Sequence, residues 1–578
     1  MLSKLRQVRL PAQLGFLNST PARYALDFVL VAVFALALSA WLNVRYPLPV
    51  SDESHLLVAI EVPVIFTLLA LAQRFGLRLR WWFFLILSSV ALLARLFMTA
   101  DNISWRFVFR DFRVPLDLHL VPEFFRLAYD TSPWKAMASY VALFILALAL
   151  SFALVALILA QVYNGAKRPS FRRFIVAYVA LAAVGAVSQE LGGPEVYTRE
   201  VSRRIGQEVR HASHLPEERK QVLKTIAGVR ERIGNGKFLD KLNGNDVLFI
   251  FVESYGRTVF VKPEFSEVLV PRFEAMAKHL ESEGFHVVSD FVTSPTYGGF
   301  SWFAHQTLDT GVKVISHLHS QLLDEQKPTG FADHFRDAGY KPIFVAPGST
   351  RPWPGMDNYY GFRSHYFSWE FGYKGPRYGW PTMADQFVLN HIYEAEIAKS
   401  QQPLFIQYAL VSSHAPFSDL PRYIDDWSTI GDGSILHTSG RDRFNVSWGL
   451  SGEVTTAYNA AITYEMQVME GYLTNYVKDD TLVIFVGDHQ PHQLVTGPDN
   501  LTWSVPIHIA CRNPDLVAPF IRRGYEHGMV PTHPLPHVGM ERFMEEFLSD
   551  FSTQPLAVDP GIWPPIQARL QAEAAKLR

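Results

Sequence analysis

Hydrophobic and polar positions divide the chain near residue 190. Before it, apolar residues run on for about 20 positions at a time, the length a helix needs to cross the hydrocarbon core of a bilayer. Five such runs stand out: 24–44, 56–73, 81–100, 138–163 and 173–189. After about residue 245 the pattern changes. Short apolar runs at 246–252, 342–345, 404–411 and 481–486 read as buried strands, and amphipathic stretches such as 271–283 and 384–399 read as helices. That alternation predicts an α/β domain with a mostly parallel sheet. Between the two halves, residues 200–235 mix Glu, Lys and Arg with scattered Ile, Val and Leu, as a solvated helix would.

The expected organisation is therefore a five-span transmembrane domain at 1–190 and a helical juxtamembrane linker at 191–244. An α/β catalytic domain follows at 245–550, with a tail at 551–578. The first apolar run could serve as a cleaved leader, but four more runs favour an uncleaved anchor. Basic residues set the orientation. Lys4, Arg6, Arg9 and Arg23 precede the first run, Arg74, Arg78 and Arg80 follow the second, and Lys167, Arg168, Arg172 and Arg173 follow the fourth. The positive-inside rule puts these in the cytoplasm. An odd number of spans then carries everything after residue 190 across the membrane, to the periplasm or cell surface of a bacterium.

Glu61 and Arg95 fall inside spans, both near the outer end. Charges at that depth are costly unless paired or close to the interface. They are expected either to pair and touch a lipid headgroup or to serve helix packing.

Composition narrows the function. A formal net charge of −2 argues against a nucleic-acid binder. The 19% charged and 13% aromatic content excludes a disordered chain. The single cysteine, Cys511, excludes an intrachain disulfide and a cysteine-based zinc site.

The chemistry lies just past the strands. Glu253 ends the first, Ser413 and His414 follow the third, and Asp488 and His489 follow the fourth. Ligands gather at the carboxyl ends of strands in open α/β sheets. Carboxylates and imidazoles converging there suit Mn²⁺, Zn²⁺ or a similar ion. The plainer alternative makes Glu253 a helix cap and His489 a turn residue. A nucleophile candidate lies in Tyr297-Gly-Gly-Phe-Ser-Trp-Phe-Ala-His305. Gly298 and Gly299 allow an irregular turn, and Ser301 then opens a helix whose N-terminus favours developing negative charge. Its plainer role would be an N-cap.

The motifs 247–254 (VLFIFVES), Gly-Gly-Phe-Ser301, 413–417 (SHAPF) and Gly487-Asp-His489 occur in the order seen in the alkaline phosphatase/sulfatase superfamily. With the five-span front end, the chain resembles lipoteichoic acid synthase and related phosphoglycerol or phosphoethanolamine transferases. The resemblance implies Glu253, Asp488 and His489 as ligands of one divalent metal ion, Mn²⁺ or Zn²⁺. It implies Ser301 as nucleophile and fourth ligand, and His414 beside the substrate phosphate. Ser301 precedes Thr310-Gly311 by the nine residues that separate nucleophile and Thr-Gly in sulfatases, which favours it over Thr296. Trp353, Arg351 and His305 are expected to face substrate. Asp385 sits where the family often has an acidic residue, without an assigned role.

The implied function is metal-dependent transfer of phosphoglycerol or phosphoethanolamine from a membrane phospholipid donor to an extracytoplasmic glycan or lipid acceptor. The same site could serve a phosphodiesterase, a phosphatase or a sulfuric ester hydrolase. Formylglycine chemistry is disfavoured, because Ser301 is followed by Trp-Phe-Ala-His and not by x-Pro-x-Arg. A catalytically degenerate sensor would lack ligands or nucleophile, and none is missing. A transporter fits poorly, since the spans show no inverted repeat. The polar loop 418–448, with His437, Arg441 and Arg443, is expected either to shape the acceptor side or to be a solvated insertion.

Overall fold

The computed structural model describes residues 20–44, 57–122, 134–352, 360–446, 453–497, 502–534 and 538–561. The chain forms two compact units. One comprises Met1–Trp105 and Asp111–His214, the other Arg106–Arg110 and Leu215–Arg578.

The first unit contains helices α1 (Thr20–Asn43), α2 (Glu61–Arg74), α3 (Trp81–Val108), α4 (Trp134–Gly165) and α5 (Pro169–Glu190). Leu36, Leu93, Leu143 and Leu181 point outward from four of them and are exposed, as lipid-facing positions would be. Among the described residues four helices, not five, are long and apolar enough to cross a membrane. The expected span at 56–73 is the exception. Its first residues are drawn into a two-residue strand, β1 (Val58–Ala59), which pairs in parallel with β2 (Tyr197–Thr198). That leaves α2 only 14 residues, about 21 Å at 1.5 Å per residue, against a core of about 30 Å.

Polar contacts mark the two ends of this unit. At one end Arg168 pairs with Asp27 at 2.7 Å, and the Tyr163 hydroxyl donates to the Leu77 carbonyl. At the other, the Asn43 amide donates to the Leu57 carbonyl at 2.7 Å, beside β1 and β2. Glu61 and Arg95 do not pair. Glu61 accepts from the Ser202 N–H at 2.9 Å, and Arg95 donates to the Leu42 carbonyl at 3.4 Å. Helix α6 (Glu200–Ile233) fills much of the expected linker.

The second unit is built on an eight-stranded sheet. Its strands are β3 (Val247–Val252), β4 (His286–Thr293), β5 (Lys341–Ala346), β6 (Ser364–Phe367), β7 (Leu404–Ala409), β10 (Leu482–Gly487), β11 (Ser504–Cys511) and β12 (Glu526–His527). They lie in the order β12-β4-β11-β10-β3-β7-β5-β6. From β10 to β6 every pairing is parallel. On the other side of β10 every pairing is antiparallel. The sheet is thus mixed, with four parallel and three antiparallel pairings. The four strands expected from apolar runs are β3, β5, β7 and β10, all in the parallel half. A small hairpin, β8 (Asp419–Pro421) with β9 (Arg441–Arg443), lies in the 418–448 loop.

Strand β3 has every residue buried, as a central strand covered on both faces requires. Its side chains alternate between the faces. Leu248, Ile250 and Val252 join the core beneath α7 (Pro263–Ser282) and α10 (Val454–Tyr476). Phe249 meets Phe543 of α11 (Met540–Asp550) at 5.6 Å on the opposite face. The expected helix at 271–283 begins eight residues earlier, because Pro263 takes the first helical turn and the helix runs on through Pro271.

Candidate active site

Glu253 and the Asp488-His489 pair sit at the carboxyl ends of β3 and β10. These strands are neighbours in register, with Val252 opposite Gly487, so residues far apart in sequence become adjacent by topology. Gly487 is required there. A Cβ at this position would collide with the carbonyl oxygen of Tyr255.

One ligand-type atom from each of Glu253, Asp488 and His489 lies within 4.8 Å of the others, and all three residues are buried. The His489 Nε2 is 3.3 Å from Glu253 Oε1 and 3.6 Å from Asp488 Oδ2. Its Nδ1 lies 2.7 Å from the Gln490 carbonyl. A carbonyl only accepts, so Nδ1 carries a proton, and Nε2 is the nitrogen that faces the carboxylates. The other Asp488 oxygen accepts from the backbone N–H groups of Ser254 at 2.8 Å and His489 at 2.6 Å.

The electrostatics call for a cation. Burial, then the charge of Glu253, pushes the Asp488 carboxyl well above its usual range. Burial alone would also raise Glu253, but the charges of His414 and His489 outweigh it and hold Glu253 below the carboxylate range. Burial would lower His489, yet the two carboxylates lift it to about 9. Two carboxylates this close and this dry repel each other unless positive charge stands between them. A divalent ion fits the donor set: two hard oxygens, one imidazole nitrogen and a hydroxyl alongside.

That hydroxyl is Ser301, the first residue of helix α8 (Ser301–Thr310). It is not the N-cap. Phe300 holds that position with a left-handed backbone at φ 60° and no side-chain cap, which leaves the serine hydroxyl uncommitted to the helix. Ser301 Oγ donates to Glu253 Oε2 at 2.8 Å and lies 3.2 Å from His489 Nε2. The neighbouring candidate, Thr296, spends its hydroxyl on the Gly299 carbonyl at 2.6 Å and so braces the turn.

His414 follows β7. Its Nδ1 lies 2.5 Å from the Ala415 carbonyl and donates to it, which leaves Nε2 open. Ser413 anchors the same loop through a bond from its hydroxyl to the Glu253 carbonyl at 2.6 Å. Burial lowers the His414 ring below its usual value, against the opposing pull of Glu253.

Of the other expected substrate residues, His305 lies within electrostatic reach of Glu253 and His489. His305 is buried against Phe251, with ring centroids 4.2 Å apart, and burial lowers it to about 4. Arg351 is exposed on the loop after β5. Trp353 lies outside the described residues. Within the 418–448 loop, Arg441 is held by Asp419 at 2.6 Å, and His437 Nε2 lies 3.0 Å from the Lys374 carbonyl.

Two site residues escaped the sequence reading. Trp380 stacks on His414 with centroids 3.7 Å apart and planes 13° from parallel. His492 is buried three residues after His489, stacked on Phe417, and burial lowers it to about 4. The spacing His489-x-x-His492 was a usable signal for the second. Trp380 had only its place between Gly379 and Pro381.

Residues 246–508 match the sulfatase family model. The chain is similar to several solved structures. Lipoteichoic acid synthase LtaP from Listeria monocytogenes is 14% identical, with 58% of this chain and 80% of that one covered and a TM-score of 0.37. Phosphoglycerol transferase GacH from Streptococcus pyogenes is 13% identical, with 63% and 92% covered and a TM-score of 0.34. Lipooligosaccharide phosphoethanolamine transferase A from Neisseria meningitidis, an integral membrane protein, is 10% identical, with 92% and 97% covered and a TM-score of 0.46. No curated protein matches the chain.

Proposed function

We propose that this chain, whose residues 246–508 match the sulfatase family model, is an enzyme of the alkaline phosphatase/sulfatase superfamily that transfers a phospho-headgroup between membrane and envelope. The donor is a membrane phospholipid, and the group is phosphoglycerol or phosphoethanolamine. The acceptor is an extracytoplasmic glycan or lipid, reached through a covalent phospho-Ser301 diester. The observation that carries this reading is the Ser301 hydroxyl, half-buried at a helix N-terminus and bonded to Glu253 beside His489.

A divalent ion, Mn²⁺ or Zn²⁺, held by Glu253, Asp488, His489 and Ser301 would supply positive charge to the phosphoryl oxygens and acidify the Ser301 hydroxyl. The chain's own groups do the rest. In the first step the Ser301 Oγ–P bond forms and the bond from phosphorus to the diacylglycerol oxygen breaks. Ser301 gives up one proton and diacylglycerol gains one. His414 Nε2 is the ring nitrogen free to carry it. The free N–H groups at the start of α8 stabilise the charge developing on the phosphoryl group. An acceptor hydroxyl then attacks phosphorus and Ser301 recovers its proton. Dividing the transfer in two replaces one high barrier with two lower ones.

The short helix α2 bears on topology. Its N-terminal end carries β1, paired with β2 after α5, and its C-terminal end leads to Leu77, bonded to Tyr163 near the end of α4. We read α2 as a fifth, shortened crossing, which keeps the catalytic unit outside the cytoplasmic membrane.

The test is intact mass spectrometry after exposure to phosphatidylglycerol or phosphatidylethanolamine, followed by peptide mapping. The expected result is one phosphoglycerol or phosphoethanolamine adduct on Ser301, passed on to an added acceptor. Release of the group only as free glycerophosphate or phosphoethanolamine would make the chain a hydrolase. No adduct under any condition, including with slowly turning-over variants, would overturn the reading.

A further inference from the structure

The membrane unit contains a second polar site, remote in sequence from Ser301. A cavity of about 350 Å³ opens between the end of α1, the later turns of α3 and the start of α6. Its wall carries Arg95, Arg203 and Arg204 with Asp101, Asp111 and Glu200. The carboxylates are already matched. Asp101 takes Arg204 at 2.5 Å, Glu200 takes Arg203 at 2.5 Å, and Asp111 takes Arg113 at 3.1 Å. Arg95 alone on this wall has no carboxylate partner among the described residues. Among the described residues its guanidinium donates to the Leu42 carbonyl at 3.4 Å, at the C-terminal turn of α1.

Depth says what could neutralise it. Arg95 lies 14 residues along α3 from Trp81, about 21 Å by helix rise. Asp101 falls at about 30 Å, the thickness of the hydrocarbon core. Trp105, also on the wall, sits where interfacial aromatics gather. With α2 read as a crossing, α3 starts at the inner face, and the guanidinium stands just beneath the outer headgroup layer. It keeps its charge in almost any setting, and a lone cation at this depth is costly. The phosphodiester of an outer-leaflet phospholipid is the anion present there at high concentration, and it pairs well with a guanidinium.

We propose that this cavity binds a phospholipid through its phosphodiester group, with Arg95 as the principal contact. The inference rests on the reading that the enzyme takes its headgroup from an outer-leaflet lipid, and it assigns that lipid a docking position in the membrane unit.

The experiment is native mass spectrometry of the full chain in detergent, offered phosphatidylglycerol, phosphatidylethanolamine or diacylglycerol. Both phospholipids should be retained and diacylglycerol should not. Arg95→Gln should lower phospholipid retention at least about tenfold, Arg95→Lys should restore part of it, and the KM for vesicle phospholipid should rise more in Arg95→Gln than kcat falls. Equal retention by parent and Arg95→Gln, or equal retention of diacylglycerol, overturns the proposal. So does displacement of the lipid by millimolar inorganic phosphate, which would mark a site for free phosphate. Ser301→Ala should retain lipid like the parent, so a failure of the covalent chemistry and a failure of this site are told apart.

Discussion

Trp380 lies flat against His414, with ring centroids 3.7 Å apart. The imidazole is thereby fixed in two ways. Its Nδ1–H is spent on the Ala415 carbonyl, and one face is covered by the indole. Only Nε2 and the opposite face remain for a substrate. Trp380→Ala is expected to leave His414 free to rotate and to lower kcat by about 10- to 100-fold, the range for a misplaced group. Trp380→Phe should keep most of the activity. Rates of labelled headgroup transfer, with melting temperatures as a folding control, check this.

The Ser301 hydroxyl meets Glu253 and His489 without supporting the helix it begins. Its removal should therefore cost chemistry and not fold. Ser301→Ala is expected to lose at least about 10³-fold in transfer, in line with deleting a nucleophile, with a melting temperature close to the parent's. A variant that transfers headgroup at the parental rate would leave the covalent intermediate without support.

Glu253, Asp488 and His489 should make folding stability depend on a divalent ion. An ion at 100 times its Kd adds about 2.7 kcal/mol. Dialysis against a chelator should lower the melting temperature by several degrees, and Mn²⁺ or Zn²⁺ should restore it. Asp488→Asn keeps the side-chain shape but removes one charge, so the restored shift should largely vanish. An unchanged melting curve in all three conditions would argue against the site.

Asp385 and Glu465 form a buried acid pair next to the His414 loop. Asp385 accepts from the N–H groups of Val411 at 2.8 Å and Ser412 at 2.6 Å. Burial raises Asp385 to about 6 despite those bonds. Burial, then the charge of Asp385, raises Glu465 well above its usual value. Unfolded carboxyls titrate near 4, so above that pH the folded state keeps protons that the unfolded chain has lost. Stability from this pair is therefore highest at low pH and falls as pH rises from about 4 through the folded pKa of about 6 and beyond. Glu465→Gln removes one ionisation and can still donate to Asp385. Between pH 5 and 8 its melting temperature should fall less than the parent's, by several degrees. Parallel curves would show that the pair does not titrate in this range.

Four strands of the parallel half were readable because β3 and β10 are continuous apolar runs and β5 and β7 nearly so, whereas β6, with Ser364 and His365, was not. The antiparallel half was not. Strand β4 carries Ser289 and Asp290, and β11 carries Pro506 and His508. Proline in a run argues against a central strand. Here His508 is satisfied inside the protein, by the Ser289 hydroxyl at 2.6 Å and the Tyr255 hydroxyl at 3.0 Å, a pairing no local pattern announces. The candidate ligands and Ser301 stood out in the sequence because strand ends and a glycine turn place them locally. Trp380 reaches His414 across a loop, and loops have no period. Glu61 and Arg95 show the same limit in the membrane unit. Sequence gives depth along a helix, but two residues at one depth meet only if they face each other around it.

The candidate ligand atoms enter from the ends of strands β3 and β10, whose sequences are more than two hundred residues apart. A nascent chain possesses Glu253 long before it possesses Asp488 and His489, and a lone carboxylate has little hold on an ion. On the proposed topology, an ion would therefore be loaded only after export, once β10 has docked onto β3.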